Sequence, residues 1–321
     1  MSAKILITGA AGFIGSNLAE NLVDSGFKVI GVDNFSSFYP RKMKERNIAL
    51  LKENANFQFI EGDIKDLKRI KSLPDFDLLV HLAAKAGVRP SIENPQDYID
   101  TNITGTHNLL KICVERSVKK IVFASSSSIY GNSKHLPFVE EGYEYEPISP
   151  YAFTKRSCEL MNHTYHHLYN LDIINLRFFT VFGPRQRPDL AIHKFVRLLE
   201  AGEEIPMFGD GSTARDYTYI NDIVSGIKSS MNYITENQNV FEIVNLGNHT
   251  PVKLLDMINT VAEVVGVEPK INQLPMQDGD VDVTFASIDK AQKLLNYNPQ
   301  TSFKQGVKNF YAWHKQIALA H

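Results

Sequence analysis

The sequence predicts an α/β fold built on a doubly wound parallel sheet, and three observations predict it. A glycine-rich turn, G-A-A-G-F-I-G with Gly9, Gly12 and Gly15, joins a short apolar run to an amphipathic helix pattern. An acidic residue, Asp33, closes the next apolar run, eighteen positions beyond Gly15. Apolar runs and helical periodicity then alternate as far as Ser125, the order expected of parallel strands joined by right-handed crossovers. With 321 residues, 43% of them hydrophobic, the chain can bury a substantial core and form two substructures.

Taken in order, Lys4–Thr8 reads as a buried strand running into the glycine turn. Glycines there let the backbone turn tightly and approach a pyrophosphate. The helix that begins near Gly12, with Phe13, Ile14, Leu18 and Leu22 on its apolar face, offers amides and the positive end of its dipole to phosphates. Residues 28–32 form the second strand, followed by Asp33 and Asn34. A carboxylate at that strand end accepts hydrogen bonds from the adenosine ribose hydroxyls and repels a 2′-phosphate, so NAD is expected rather than NADP. Residues 41–54 read as a basic amphipathic helix whose Arg41, Lys42, Lys44 and Arg46 form a solvated face with no ligand. A third strand, 57–60, leads to Asp63, placed to reach the adenine, and Ile64. The fourth, 78–82, ends at Leu82 and is followed by Ala83 and Ala84. Small residues there leave room for a flat cofactor, and close helix packing accounts for them equally well. A long helix over 95–116 carries Asn102 towards the same cofactor, and then comes the strand that ends at Ser125.

The chemical centre is expected between Ser125 and Lys155. Four hydroxyls, Ser125, Ser126, Ser127 and Ser128, follow the apolar run, and Tyr151 and Lys155 stand four apart in Y-A-F-T-K. On a helix that spacing puts the ammonium beside the phenol and favours phenolate. A serine hydroxyl aimed at the same point completes a device for moving a proton on or off an alcohol oxygen.

Composition narrows the classes. The 34 Lys+Arg against 36 Asp+Glu, a formal net charge of -2, argue against a nucleic-acid binder. The two cysteines, Cys113 and Cys158, lack disulfide or zinc spacing and read as reduced core thiols, with no metal site expected. The start of the chain has no signal-type apolar stretch and no run reaches spanning length, so a cytoplasmic protein without a membrane segment is the expectation.

The glycine turn, Asp33, S-S-S-S-I-Y-G and Y-x-x-x-K together resemble the extended short-chain dehydrogenase/reductase family, in particular its nucleotide-sugar epimerases. The later L-R-F-F-T-V-F-G-P-R, G-D-G-S-T-A-R-D-Y-T-Y-I-N-D and V-N-L-G segments extend the resemblance over nearly the whole chain. It implies a Rossmann-type NAD domain over residues 1–177 and a smaller mixed α/β region over 178–321 that mainly binds a UDP-sugar, the two interwoven. It further implies that Tyr151 takes the proton of the sugar 4-hydroxyl as C4 gives up hydride. Lys155 would lower the tyrosine pKa and hold the nicotinamide ribose, and Ser126 would bond the same oxygen. A homodimer joined through the helices at 102–116 and 151–169 is also implied.

The subclass rests on what is missing and on two arginines. Dehydratases of this family carry an Asp-Glu pair where this chain has Ser127 and Ser128, and its uronate decarboxylases usually have a glutamate near Ser128, so 4-epimerisation remains. The G-P-R-Q-R-P-D stretch resembles that of UDP-glucuronate 4-epimerases, which implies that Arg187 faces the sugar C6 carboxylate. A guanidinium pairs bidentately with a carboxylate. Arg185 and Arg187 are alternatively loop or diphosphate contacts. A 4-keto uronate is a β-keto acid prone to lose CO2, and Arg187 with Ser127 and Ser128 are the candidates to hold its carboxylate. Arg89 is a second cation for phosphate or carboxylate, Phe208 a platform for uracil and Arg215 a partner for the diphosphate; Thr180, Lys194 and Asp280 are weaker candidates. The expected function is UDP-glucuronate 4-epimerisation, with a neutral or N-acetylated UDP-hexose 4-epimerase as the main alternative. A UDP-glucuronate decarboxylase and a non-catalytic NAD-binding protein follow behind.

Overall fold

The computed structural model describes residues 3–142, 145–276 and 282–319. Twelve strands are present among them: β1 Lys4–Thr8, β2 Lys28–Asp33, β3 Phe57–Glu61, β4 Leu78–His81, β5 Lys120–Ser126, β6 Asp172–Phe178, β7 Thr180–Phe182, β8 Ile205–Phe208, β9 Ala214–Tyr219, β10 Phe241–Leu246, β11 Pro251–Lys253 and β12 Ile271–Leu274. Seven of them form the main sheet in the order β10-β6-β5-β4-β1-β2-β3, parallel throughout. The order reverses beside β1, which pairs with β2 on one side and β4 on the other. In doubly wound sheets that reversal opens a crevice at the carboxyl strand ends, where ligands bind.

Both faces of the sheet are covered, which is why its strands are apolar runs rather than alternating ones. Ile5 and Ile7 of β1 pack into one core cluster and Leu6 into the other, as the period of two requires. The smaller region is mixed: β11-β9-β7 form one sheet and β12-β8 another. The two halves of the chain interweave, because β10 returns to the main sheet and the helix Ile220–Glu236 packs on β5, β6 and the helix Phe13–Asp24. Among the described residues no helix is long and apolar enough to cross a membrane. Cys113 and Cys158 are buried and unbridged.

Two helices differ from expectation. The one foreseen over 41–54 stops at Asn47, with a separate 3-10 turn at Leu51–Glu53. The Asn47 amide donates to the Ala11 carbonyl (3.1 Å), and Leu50, which lies between the helix and that turn, is 77% exposed. The helix foreseen over 95–116 is broken by a π-helical segment, Ile99–Thr104, before Gly105–Glu115. There the Asn102 carbonyl accepts from the Thr106 hydroxyl one turn on (2.5 Å) and, across the fold, from the Cys158 thiol (3.2 Å), so one local and one tertiary side-chain bond meet at the widened turn.

Candidate active site

The crevice beside β1 is walled by the glycine turn, the ends of β2 and β4, Ala124 and Ser125 of β5, and the first turns of the helix Pro150–Tyr169. Gly9 has φ +73, and a Cβ there would lie 2.9 Å from the Ala83 nitrogen. A Cβ on Gly15 would lie 2.1 Å from the Gly9 carbonyl oxygen, so glycine is what lets the helix Phe13–Asp24 start against the strand end. That helix has no side-chain cap and no acid in its first turn, which leaves its leading amides open to an anion. Asp33 sits in the wall and accepts from the amides of Ala11 (3.1 Å) and Phe35 (2.8 Å). Burial raises its pKa against the pull of Lys44 and these two amides.

Of the expected cofactor residues, Gly9, Gly12, Phe13, Ile14, Gly15, Asp33, Asn34, Ile64, Leu82, Ala83, Ala84, Tyr151 and Lys155 all line this crevice. Asp63 stands just behind, accepting from the Asn34 amide (3.0 Å) and the Lys65 nitrogen (2.8 Å). Asn102 is placed differently from expectation. Its amide bonds both backbone atoms of Lys85 (2.8 and 3.0 Å) and the Thr154 hydroxyl (2.9 Å), so it braces the loop after β4 against the helix Pro150–Tyr169, beside Thr101 of the crevice wall.

Local sequence explains the proton device. Ser149 caps the helix Pro150–Tyr169 by accepting from Ala152 N (3.2 Å), Pro150 takes the first turn, and Tyr151 and Lys155 then project from successive turns. Ser126 ends β5 and bonds the Ser128 hydroxyl (2.9 Å). Burial pushes the Tyr151 phenol up, while a hydrogen bond with Ser126 and the charge of Arg187 pull it down. Lys155 was expected to supply that pull. Instead its ammonium donates to the Ala124 carbonyl (2.7 Å), and burial lowers its own pKa to about 8 against the charges of Cys158 and Glu159.

Arg187 lines the same crevice, its guanidinium forked on Asp189 (3.0 and 2.8 Å) and lying over Phe38. The other expected substrate contacts lie outside that wall. Arg185, at φ 70, pairs with Glu20 (2.8 Å) and ties its loop to the helix Phe13–Asp24. Arg215 donates to the carbonyls of Ala214 and Asp282. Arg89 lies over Phe208 (5.8 Å), which joins two expected substrate residues from opposite halves of the chain. Ser127 follows Ser126 in the 3-10 turn Ser127–Tyr130, and Thr180 and Lys194 stand at the start of β7 and on the helix Ala191–Ala201. Asp280 lies outside the described residues.

Sequence reasoning missed four wall or floor residues. Lys44, assigned to a solvated face, is 5% exposed, lines the crevice and donates to the Ser36 carbonyl (2.7 Å). Tyr39 and Thr101 also line it, and their buried hydroxyls have no protein partner. His81, beneath the crevice, is bonded to Thr8 (2.7 Å) through Nδ1 and to Thr106 (2.9 Å) through Nε2. Since Thr106 donates onward to Asn102, the proton of the neutral ring sits on Nε2. A polar residue closing an otherwise apolar strand was the available signal for His81; none marked Lys44 among its basic neighbours.

The sequence model of the family described as GDP-mannose 4,6 dehydratase matches residues 6–310. A UDP-glucuronate 4-epimerase of Thermodesulfobacterium geofontis is 42% identical over 315 residues, 97% of this chain and 96% of that protein. The crystal structure of a UDP-glucuronic acid 4-epimerase from Bacillus cereus with UDP-glucuronic acid and NAD is 38% identical, covers 98% of this chain and 99% of the other, and superposes with a TM-score of 0.91. A UDP-glucose 4-epimerase of Thermotoga maritima with UDP-glucose is 32% identical over 98% and 99% of the two chains, with a TM-score of 0.88.

Proposed function

The chain belongs to the nucleotide-sugar family described as GDP-mannose 4,6 dehydratase, and within it we propose an NAD-dependent UDP-glucuronate 4-epimerase that interconverts UDP-glucuronate and UDP-galacturonate. The observation that carries the uronate is Arg187: its guanidinium lines the crevice that holds Tyr151 and Lys155, and its charge acts on the Tyr151 phenol.

The crevice suits NAD. The Gly9 and Gly15 backbone leaves no room for a side chain, the leading amides are uncapped, and the buried Tyr39 and Thr101 hydroxyls lack protein partners. Asp33 would take the adenosine ribose, the glycine turn the pyrophosphate, and Lys155 the nicotinamide ribose. When bound, NAD supplies the acceptor for the C4 hydride and returns it.

The protein's part is proton handling and orientation. Tyr151 removes the proton from the sugar O4 and restores it after the 4-keto sugar has turned over, with Ser126 holding the same oxygen. Arg187 releases Asp189 and forks onto the C6 carboxylate. With Ser127 and Ser128 it holds the C5–C6 bond away from alignment with the C4 carbonyl, which protects the β-keto acid from losing CO2. The family's dehydration chemistry calls for a carboxylic acid next to the catalytic hydroxyl, and Ser127 and Ser128 stand there instead. Arg89 and Phe208 would receive the nucleotide, with Arg215, Arg185 and Thr180 around it.

We also propose a homodimer, formed through the helices Gly105–Glu115 and Pro150–Tyr169. Phe153, Leu160 and Leu168, spaced along one face of the second, are 50%, 57% and 60% exposed. Three large apolar side chains in one stripe call for a partner. Cytoplasmic residence is the compartment we infer from the NAD and nucleotide-sugar requirement. Conversion of UDP-glucuronate by the purified protein, with the product identified, tests the assignment.

A further inference from the structure

Below the crevice lies an ion pair that the proton chemistry above does not use. Arg177 of β6 and Glu159 of the catalytic helix are each 1% exposed and meet in a fork, Nε to Oε1 at 2.9 Å and Nη2 to Oε2 at 2.8 Å. Glu159 Oε1 also accepts from the Ser125 hydroxyl (2.6 Å). Ser125 lines the crevice and precedes Ser126, and Glu159 stands one turn beyond Lys155. On its other side the guanidinium lies 4.9 Å from the centre of the Tyr130 ring, whose hydroxyl donates to Asn245 of β10 (2.6 Å). Burying two charges costs desolvation that their attraction only partly offsets, and well-packed apolar residues are often as stabilising. What the pair adds is direction: it joins β5, β6 and the catalytic helix at the level of the reacting groups.

We propose that Glu159 is a positioning residue for the proton-transfer set: oriented by Arg177, it fixes Ser125 and the end of β5 against the catalytic helix, so that Ser126 meets Tyr151 and Lys155 has an anion one turn away. Burial alone would raise the Glu159 pKa, but the bonds and charge of Arg177, with Ser125 and Arg156, bring it below the usual carboxylate range, so it is ionised. Lys155 is faced by Cys158 and Glu159 on its own helix, by the neutral His81 on β4, and by the Ala124 carbonyl and Phe123 ring on β5. Arg177 on β6 and Arg156 face Glu159. Among the described residues Glu159 is the one carboxylate acting on the ammonium.

The inference depends on the epimerase reading only through the assay. Wild type, Ser125→Ala, Glu159→Gln and Arg156→Ala are compared as full chains for bound NAD, melting, and turnover of UDP-glucuronate, UDP-glucose and UDP-N-acetylglucosamine across pH. Ser125→Ala and Glu159→Gln should lower kcat about tenfold or more with KM and bound NAD little changed, as misplaced catalytic groups do. In Glu159→Gln the pH above which activity falls should move down, because loss of the anion lets Lys155 lose its proton sooner. Arg156→Ala, which removes only the outer partner at 38% exposure, should match wild type. Wild-type kcat in Ser125→Ala together with an unmoved basic limb in Glu159→Gln would overturn the inference. If Glu159→Gln does not fold, Ser125→Ala decides alone, since it leaves the ion pair intact: an unchanged kcat overturns the inference. A wild type that converts only a neutral sugar refutes the uronate reading, and the same variants are then judged on that sugar. No turnover of any of the three overturns both.

Discussion

Ser126 and Tyr151 stand where β5 ends against the catalytic helix, close enough that the serine hydroxyl lowers the phenol against a burial that raises it. Two elements distant in sequence thus supply one proton device, and each can be removed separately. Tyr151→Phe should bind NAD normally and lose about 10²–10⁴ of the turnover, the usual worth of a positioned acid-base group; Ser126→Ala should lose less. Bound NAD after purification and the rate at which the epimeric sugar nucleotide forms from UDP-glucuronate report the two properties. Unimpaired turnover in Tyr151→Phe would remove it from the mechanism.

Arg187 makes a prediction about selectivity rather than rate. Its charge also acts on Tyr151, so its loss should slow every substrate. The discriminating readout is binding: Arg187→Ala should weaken UDP-glucuronate by about 1.5–3 kcal/mol, the usual worth of hydrogen bonds to charged groups, and leave UDP-glucose nearly unchanged. Titration calorimetry with both nucleotides measures the ratio. Equal losses would return Arg187 to a structural or diphosphate role.

His81 links the site's foundation to pH. Burial, with the nearby Lys155 charge, takes its pKa down to about 3, and burial takes that of His193 down to about 4. Between those values and the unfolded value of about 6.5 the unfolded chain binds more protons, so stability is full above that value and falls with acidification by about 1.4 kcal/mol per pH unit for each histidine. His81→Gln should remove about half of the slope the two histidines contribute between pH 6 and 5, read from urea midpoints. An unchanged slope would show that His81 is not the titrating group.

The exposed stripe on the catalytic helix gives a test of assembly. Leu160→Glu together with Leu168→Glu should turn a dimer into a monomer in sedimentation velocity, because a charge cannot be buried there unpaired. A wild-type monomer at micromolar concentration would refute the dimer.

Much of this was legible in the chain because the relevant signals are local. The glycine turn, the strand-end Asp33 and the Tyr151–Lys155 spacing each fix a backbone geometry within a few residues, and all of those groups converge on one crevice. What was illegible depends on partners far along the chain. Asn102 looks like a cofactor ligand until Lys85 and Thr154 take its amide. Lys44 looks solvated until its helix is seen ending at Asn47 and turning its ammonium inward. Arg185 and Arg187 stand two residues apart with one chemistry, and only tertiary placement sends one to Glu20 and the other to the crevice.

The most direct test of the central claim is the NMR spectrum of the product formed from UDP-glucuronate in deuterated water. The account predicts UDP-galacturonate with protium kept at C4 and no accumulation of reduced cofactor, because the hydride leaves and returns within one site. A UDP-pentose product, deuterium at C4, or conversion of UDP-glucose with none of the uronate would contradict it.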